Sequence, residues 1–129
     1  MAKYFVQKSN PLSGEVEISG AKNAVLPIMA AALLSEEECT LFDVPALRDV
    51  DVLTQLLTHI GAVVKKADTN TLNIYTPNIN TYEAPFELVK KMRASFLVAG
   101  PLLARTGRSH FFDKLKRCFI CVDIRCVYI

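Results

Sequence analysis

Ile18-Ser19-Gly20-Ala21-Lys22-Asn23-Ala24-Val25-Leu26-Pro27 joins an alternating strand pattern to an almost wholly apolar helix. A lysine and an asparagine stand at the junction, where the first backbone N–H groups of a helix have no partner within it. Free donors and the positive end of the helix dipole point the same way there, which makes such a start an anion site. Lys22 adds a full charge to that field. Asn23 can cap the helix or orient a ligand. The spacing alone leaves two readings open: an ordinary charged loop with an N-cap, or a built anion site.

Outward from this junction the chain divides into strands and helices. Tyr4 and Val6, then Val16 and Ile18, alternate with polar residues on either side of Asn10-Pro11-Leu12-Ser13-Gly14, which predicts two strands around a turn in Met1 to Ser19. The helix is expected from about Asn23 to Leu34, apolar all round and therefore covered on all sides, with Pro27 tolerated near its first turn. Cys39 to Phe42 reads as a short strand. Asp49 or Asp51 is expected to cap a second helix, whose Leu53, Leu56, Leu57 and Ile60 form an i, i+3, i+4, i+7 stripe ended by Gly61. His59 lies off that stripe and reads as exposed. Ala62 to Lys66 and Thr71 to Tyr75 make a hairpin. Ala84-Pro85 opens a helical turn, and an apolar helix bent at Gly100-Pro101 follows from Arg93 to Arg105. Ser109 to Phe112 is the next strand.

The pattern echoes itself. Leu33-Leu34 before Thr40-Leu41-Phe42-Asp43 is matched, about 70 residues later, by Leu102-Leu103 before His110-Phe111-Phe112-Asp113. The same offset carries Lys22-Asn23 onto Met92-Arg93. Repeats imply units that pack on one another. Two cationic helix starts converging in space would suit a doubly charged ligand.

Composition bounds the class. The 129 residues, 51% hydrophobic and 22% charged, suffice for one modest globular domain. The longest apolar stretch, Ala24 to Leu34, contains Pro27 and falls short of the roughly 20 residues that span a bilayer, so no membrane is expected. Met1 to Lys8 lacks the apolar stretch of a signal peptide, so a cytoplasmic location is the expectation. The formal charge of +2 points to no polyanion, although Arg105, Arg108, Lys114, Lys116, Arg117 and Arg125 crowd the end. Without interleaved stacking aromatics, that basic stretch does not make a nucleic-acid module. Cys118-Phe119-Ile120-Cys121 is a C-x-x-C, but a structural zinc site needs a second pair. No metal is expected.

Gly14-Glu15-Val16 and Ser19 to Pro27 together resemble the N-terminal signature of the enolpyruvyl transferases of peptidoglycan synthesis. The resemblance continues through Val44-Pro45-Ala46-Leu47-Arg48-Asp49-Val50-Asp51, Ile60-Gly61-Ala62, Ala84-Pro85, Val89 to Ser95 and Gly100-Pro101-Leu102, and covers about residues 3 to 107. It implies an α/β fold of repeated small α/β units with buried helices and outer sheets, an inside-out α/β barrel that is incomplete here. It implies transfer of the enolpyruvyl group of phosphoenolpyruvate to the 3-hydroxyl of UDP-N-acetylglucosamine, releasing phosphate, with no cofactor. By motif, Lys22 and Asn23 would bind phosphoenolpyruvate, Lys22 in a catalytic role, and Arg93 would bind UDP-N-acetylglucosamine. Residues 1–21 would be strands that pair with a second domain. Residues 22–107 would be the first α/β unit and the start of the next.

Residues 108–129 depart from the family pattern as a basic, cysteine-rich tail. A glycine-rich loop carrying a proton-donating cysteine is expected there, and Lys116-Arg117-Cys118-Phe119-Ile120-Cys121 keeps the cysteine and isoleucine but not the glycines. Cys118 is therefore the candidate catalytic acid, in a stretch that reads equally as a frameshifted or read-through end. The chain has only part of a family member's length, so inactivity alone and self-association through uncovered apolar surface are expected. Two further readings stand beside this one. The first is a non-catalytic fragment with a residual anion-binding helix start. The second is an enzyme like 5-enolpyruvylshikimate-3-phosphate synthase, against which Lys22-Asn23 stands in place of a Ser-Lys-Ser element.

Overall fold

Helix α1 (Lys22–Ala31) starts on the Ala21 carbonyl, which accepts from the N–H groups of Ala24 and Val25, and tightens into a 3₁₀ turn over Ala32–Leu34. The computed structural model describes residues 3–113 and 118–123, with side chains for 3–92 and 94–111. Val25, Leu26, Met29, Ala30 and Leu33 put one face of this helix in the core. Ile28 and Leu34 stay about half exposed, so the helix is not covered on all sides.

Helix α2 (Arg48–Ile60) follows the expected stripe: Leu53, Leu56, Leu57 and Ile60 have no exposed surface. Full burial of each such side chain contributes about 1.5–3 kcal/mol. Gly61 ends the helix at φ +126°, and a Cβ there would lie 2.7 Å from the Asn78 carbonyl oxygen. Only glycine combines that backbone with that approach.

Against these helices lies a three-stranded antiparallel sheet of β1 (Cys39–Leu41), β2 (Val63–Asp68) and β3 (Thr71–Tyr75), ordered β1-β3-β2. Cys39 pairs with Ile74 and Leu41 with Leu72. Leu72 and Ile74 are buried while their neighbours are not, which is the period-two signature of a sheet with one face on the core.

A second unit follows. Helix α3 (Phe86–Val89) leads into a 3₁₀ segment, Arg93–Val98, and then helix α4 (Ala99–Thr106), ended by Gly107 in the left-handed region. The buried Ser95 hydroxyl donates to the Met92 carbonyl and holds this entry. Strand β4 (Arg108–Asp113) pairs antiparallel with β5 (Cys118–Asp123). Tyr82 to Ala84 lies beside β4 in parallel: the His110 N–H donates to the Tyr82 carbonyl at 2.9 Å and the Ala84 N–H to the His110 carbonyl at 3.1 Å. A segment, a helix and a parallel strand in that order form a βαβ unit.

Several expectations change. No ladder forms within residues 3–19, where Tyr4, Phe5, Val6, Leu12, Val16 and Ile18 are 86–94% exposed. The alternation is there, but these residues have no strand beside them among the described residues. Asn23 and the two aspartates are not N-caps. Ala21 and Leu47 take those positions in extended backbone without a side-chain bond, and Asp49 and Asp51 fall in the first turn of α2. Pro27 lies past the first turn, as the sixth residue of α1, so it has no N–H to give the Asn23 carbonyl. The core also runs past residue 107, because Phe111 is 2% exposed.

Candidate functional site: the start of helix α1

Lys22 is the first residue of α1, and Lys22, Asn23 and Ala24 are all exposed. With Ala24 and Val25 already bonded to Ala21, the N–H groups of Lys22 and Asn23 are the donors that helix geometry leaves over. An apolar body holds this polar end in place: Val25 and Leu26 are buried one turn on, and α1 packs against α2 and against Arg93–Val98.

Gly20, two residues before the helix, is held as tightly. A Cβ on Gly20 would lie 1.9 Å from the Asp43 carbonyl oxygen, so the chain enters α1 against the loop after β1 at a distance no side chain allows. Asp43 is at φ +55°, a conformation that aspartate tolerates better than most residues. The Val44 N–H donates to the Asn70 carbonyl at 2.8 Å and ties that loop to the β2–β3 turn. Glu17 to Gly20, Asp43 to Leu47 and Asn70 line a cavity of about 440 Å³ beside the junction.

The Lys22 ammonium is not a bare charge. It forms an ion pair with the Asp49 carboxylate, from the first turn of α2, with side-chain exposures of 49% for Lys22 and 28% for Asp49. Lysine charge is unfavourable at the positive end of a helix dipole, and a carboxylate is favourable there. Asp49 thus sits where two helix starts and one ammonium all attract an anion. From the sequence Asp49 reads only as a cap for its own helix; its link to Lys22 depends on how α1 and α2 pack.

The second cationic start differs. Arg93 opens a 3₁₀ segment of six residues, not an α-helix, and its N–H groups lack the aligned dipoles of α1. Contact between α1 and Arg93–Val98 does bring the two segments together. Cys118 opens β5 and pairs through its backbone with Asp113, so it stands in a ladder rather than in a glycine-rich loop.

Arg105, counted in sequence with the basic C-terminal residues, is largely buried, its side chain 14% exposed. Its guanidinium donates to the Leu33 carbonyl at 2.9 Å, the Thr76 carbonyl at 2.8 Å, the Pro77 carbonyl at 3.3 Å and the Glu36 carboxylate at 3.3 Å. One side chain of the second unit thereby closes the end of the first helix and the exit of β3. Among the described residues, no group of three or more histidines, cysteines or acids could hold a metal ion.

The sequence matches the family model of EPSP synthase (3-phosphoshikimate 1-carboxyvinyltransferase) over residues 6–116. The chain belongs to the EPSP synthase family. Within that family it is similar to UDP-N-acetylglucosamine 1-carboxyvinyltransferase 1 of Caldanaerobacter subterraneus subsp. tengcongensis, at 54% identity over 83% of this chain and 25% of that protein. It is similar also to the UDP-N-acetylglucosamine 1-carboxyvinyltransferase of Desulfosudis oleivorans, at 50% identity over 84% of this chain and 26% of the relative. The chain therefore spans about a quarter of the length of the curated relatives it matches. Its fold is that of the enolpyruvyl transferase NikO from Streptomyces tendae, with a TM-score of 0.70 over 81% of this chain and 24% of that one, at 24% identity. The α/β architecture expected from the resemblance is thus the fold of this EPSP synthase family chain, as a partial domain. No described helix is long and apolar enough to cross a membrane.

Proposed function

We propose that this chain carries the phosphoenolpyruvate end of a carboxyvinyl transferase that moves enolpyruvyl to the 3-hydroxyl of UDP-N-acetylglucosamine and releases phosphate, in the cytoplasm. The observation that carries the reading is the exposed start of α1, where Lys22 and Asn23 present an ammonium, an amide and two leftover N–H donors at one point. Phosphoenolpyruvate bears a carboxylate and a phosphate on adjacent oxygen and carbon atoms, and such a group suits clustered cations and N–H dipoles. In an addition–elimination the sugar hydroxyl gives up its proton and its oxygen bonds to C2 of the enol while C3 gains a proton. C3 then loses a proton as the C2–O bond to phosphate breaks. Fixed positive charge lowers the barrier where negative charge builds on the leaving phosphate. Lys22 and Asn23 hold the phosphoenolpyruvate in this reading, Arg93 holds UDP-N-acetylglucosamine, and Cys118 is the proton donor.

The same reading gives residues 1–21 to a sheet completed by a second domain, which accounts for the bare alternating side chains from Tyr4 to Ile18. The exposed Ile28 and Leu34 are the surface through which the separate chain would self-associate.

The test is phosphate release from phosphoenolpyruvate and UDP-N-acetylglucosamine, with equilibrium binding of each substrate to the purified chain. Binding of phosphoenolpyruvate that falls at least tenfold in Lys22→Ala supports the reading, whether or not turnover accompanies it. UDP-N-acetylglucosamine binding weakened more by Arg93→Ala than by Lys91→Ala supports the assignment of Arg93. Binding equal in Lys22→Ala and the natural sequence overturns the site.

A further inference from the structure

We infer that Asp49 is the resident counterion of Lys22, and that an incoming anion must take Lys22 from it. The inference rests on the phosphoenolpyruvate reading for the identity of that anion, but the pairing stands on geometry alone. Lys22 is the first residue of α1 and Asp49 the second of α2, and the packing of the two helices brings ammonium and carboxylate together. Both groups keep access to solvent, at 49% and 28% exposure, so the pair can open without unpacking the core. The neighbouring pair, Lys66 with Asp51 at 3.5 Å, is more exposed on both sides, and its lysine comes from strand β2 rather than from a helix start. It provides a control two residues along, in the same first turn of α2.

The consequence is a competition. An occupied Lys22 offers a ligand less than its full charge, and the cost of separating the pair is subtracted from affinity. The gain is a start of α1 that is charge-balanced when empty, so that Lys22 does not face its own helix dipole alone. Asp49 on this view positions Lys22 and sets its affinity without touching the reacting atoms.

Lysine acylation followed by mass spectrometry tests this on the full chain. Asp49→Asn is expected to raise the labelling rate of Lys22 roughly two- to fivefold, toward that of exposed Lys65, which matches the strength of a partly exposed pair. Asp51→Asn should raise Lys66 and leave Lys22 unchanged. Asp49→Glu should restore protection, which separates loss of the pair from loss of fold. Phosphoenolpyruvate, and inorganic phosphate more weakly, should then protect Lys22 at a concentration two- to fivefold lower in Asp49→Asn than in the natural sequence. Lys22 labelling that is unchanged in Asp49→Asn overturns the pairing. Labelling that rises while ligand protection needs equal or higher concentrations overturns the competition. A rise in labelling with protection by phosphate but none by phosphoenolpyruvate supports the counterion and overturns the substrate reading instead.

Discussion

The two halves of the sequence echo each run from helical turns into a strand, but with the helix types in opposite order. In the first unit an α-helix comes first and a 3₁₀ turn closes it, Lys22–Ala31 then Ala32–Leu34. In the second a 3₁₀ segment comes first and the α-helix follows, Arg93–Val98 then Ala99–Thr106. The difference falls at the end that matters for anions. Only the first unit opens with aligned α-helical dipoles and exposed residues behind a lysine. The repeat therefore fixes where a cation sits, and the helix type decides what surrounds it.

The closing ends differ in the opposite sense. Leu34 closes the helix of the first unit half exposed, while in the second unit Arg105, two residues past the matching Leu103, reaches back across both units to three carbonyls and a carboxylate. Replacing these two residues is the harshest test of the contrast. Arg105→Met leaves the Leu33 and Thr76 carbonyls without that donor in a site where the side chain is 14% exposed, and should cost about 2–4 kcal/mol in denaturant unfolding. Arg105→Lys should recover little of it, because one ammonium cannot span a forked set of acceptors. Leu34→Ala should cost less than about 1 kcal/mol. Similar costs at the two positions would break the comparison.

A smaller effect is expected at the prolines. Pro27 is the sixth residue of α1, whereas Pro101 is the third of α4, where no N–H is needed for the helix. Pro27→Ala supplies a donor for the Asn23 carbonyl and should stabilise the chain by about 1 kcal/mol after the added freedom of the unfolded chain is counted. Pro101→Ala should be neutral or slightly destabilising. The difference between their thermal midpoints measures what the missing hydrogen bond at Pro27 costs.

Much of this was legible in the sequence, and for identifiable reasons. The stripe of Leu53, Leu56, Leu57 and Ile60, the hairpin, and the helix starts at Lys22 and Arg93 depend on local spacing, which sequence carries directly. The N-caps were misplaced because Ala21 and Leu47 do that work through backbone conformation, with no side-chain signature. Strands were expected before Ser19 because Tyr4, Val6, Val16 and Ile18 alternate, but a strand also needs a neighbour, and none among the described residues provides it. The Lys22–Asp49 pair and the reach of Arg105 join residues far apart in the chain, so they exist only after packing. Arg105 was grouped with a basic tail for that reason. The β4–β5 ladder likewise places Cys118 in a strand where the motif led to expect a loop.

Backbone amide shifts of the ¹⁵N-labelled chain test whether the start of α1 receives phosphoenolpyruvate, as proposed. Titration with phosphoenolpyruvate should move the Lys22 and Asn23 amides first and furthest, saturably, and Lys22→Ala should abolish the shift at Asn23. Shifts scattered over the exposed lysines, or an Asn23 response that survives Lys22→Ala, would overturn this site.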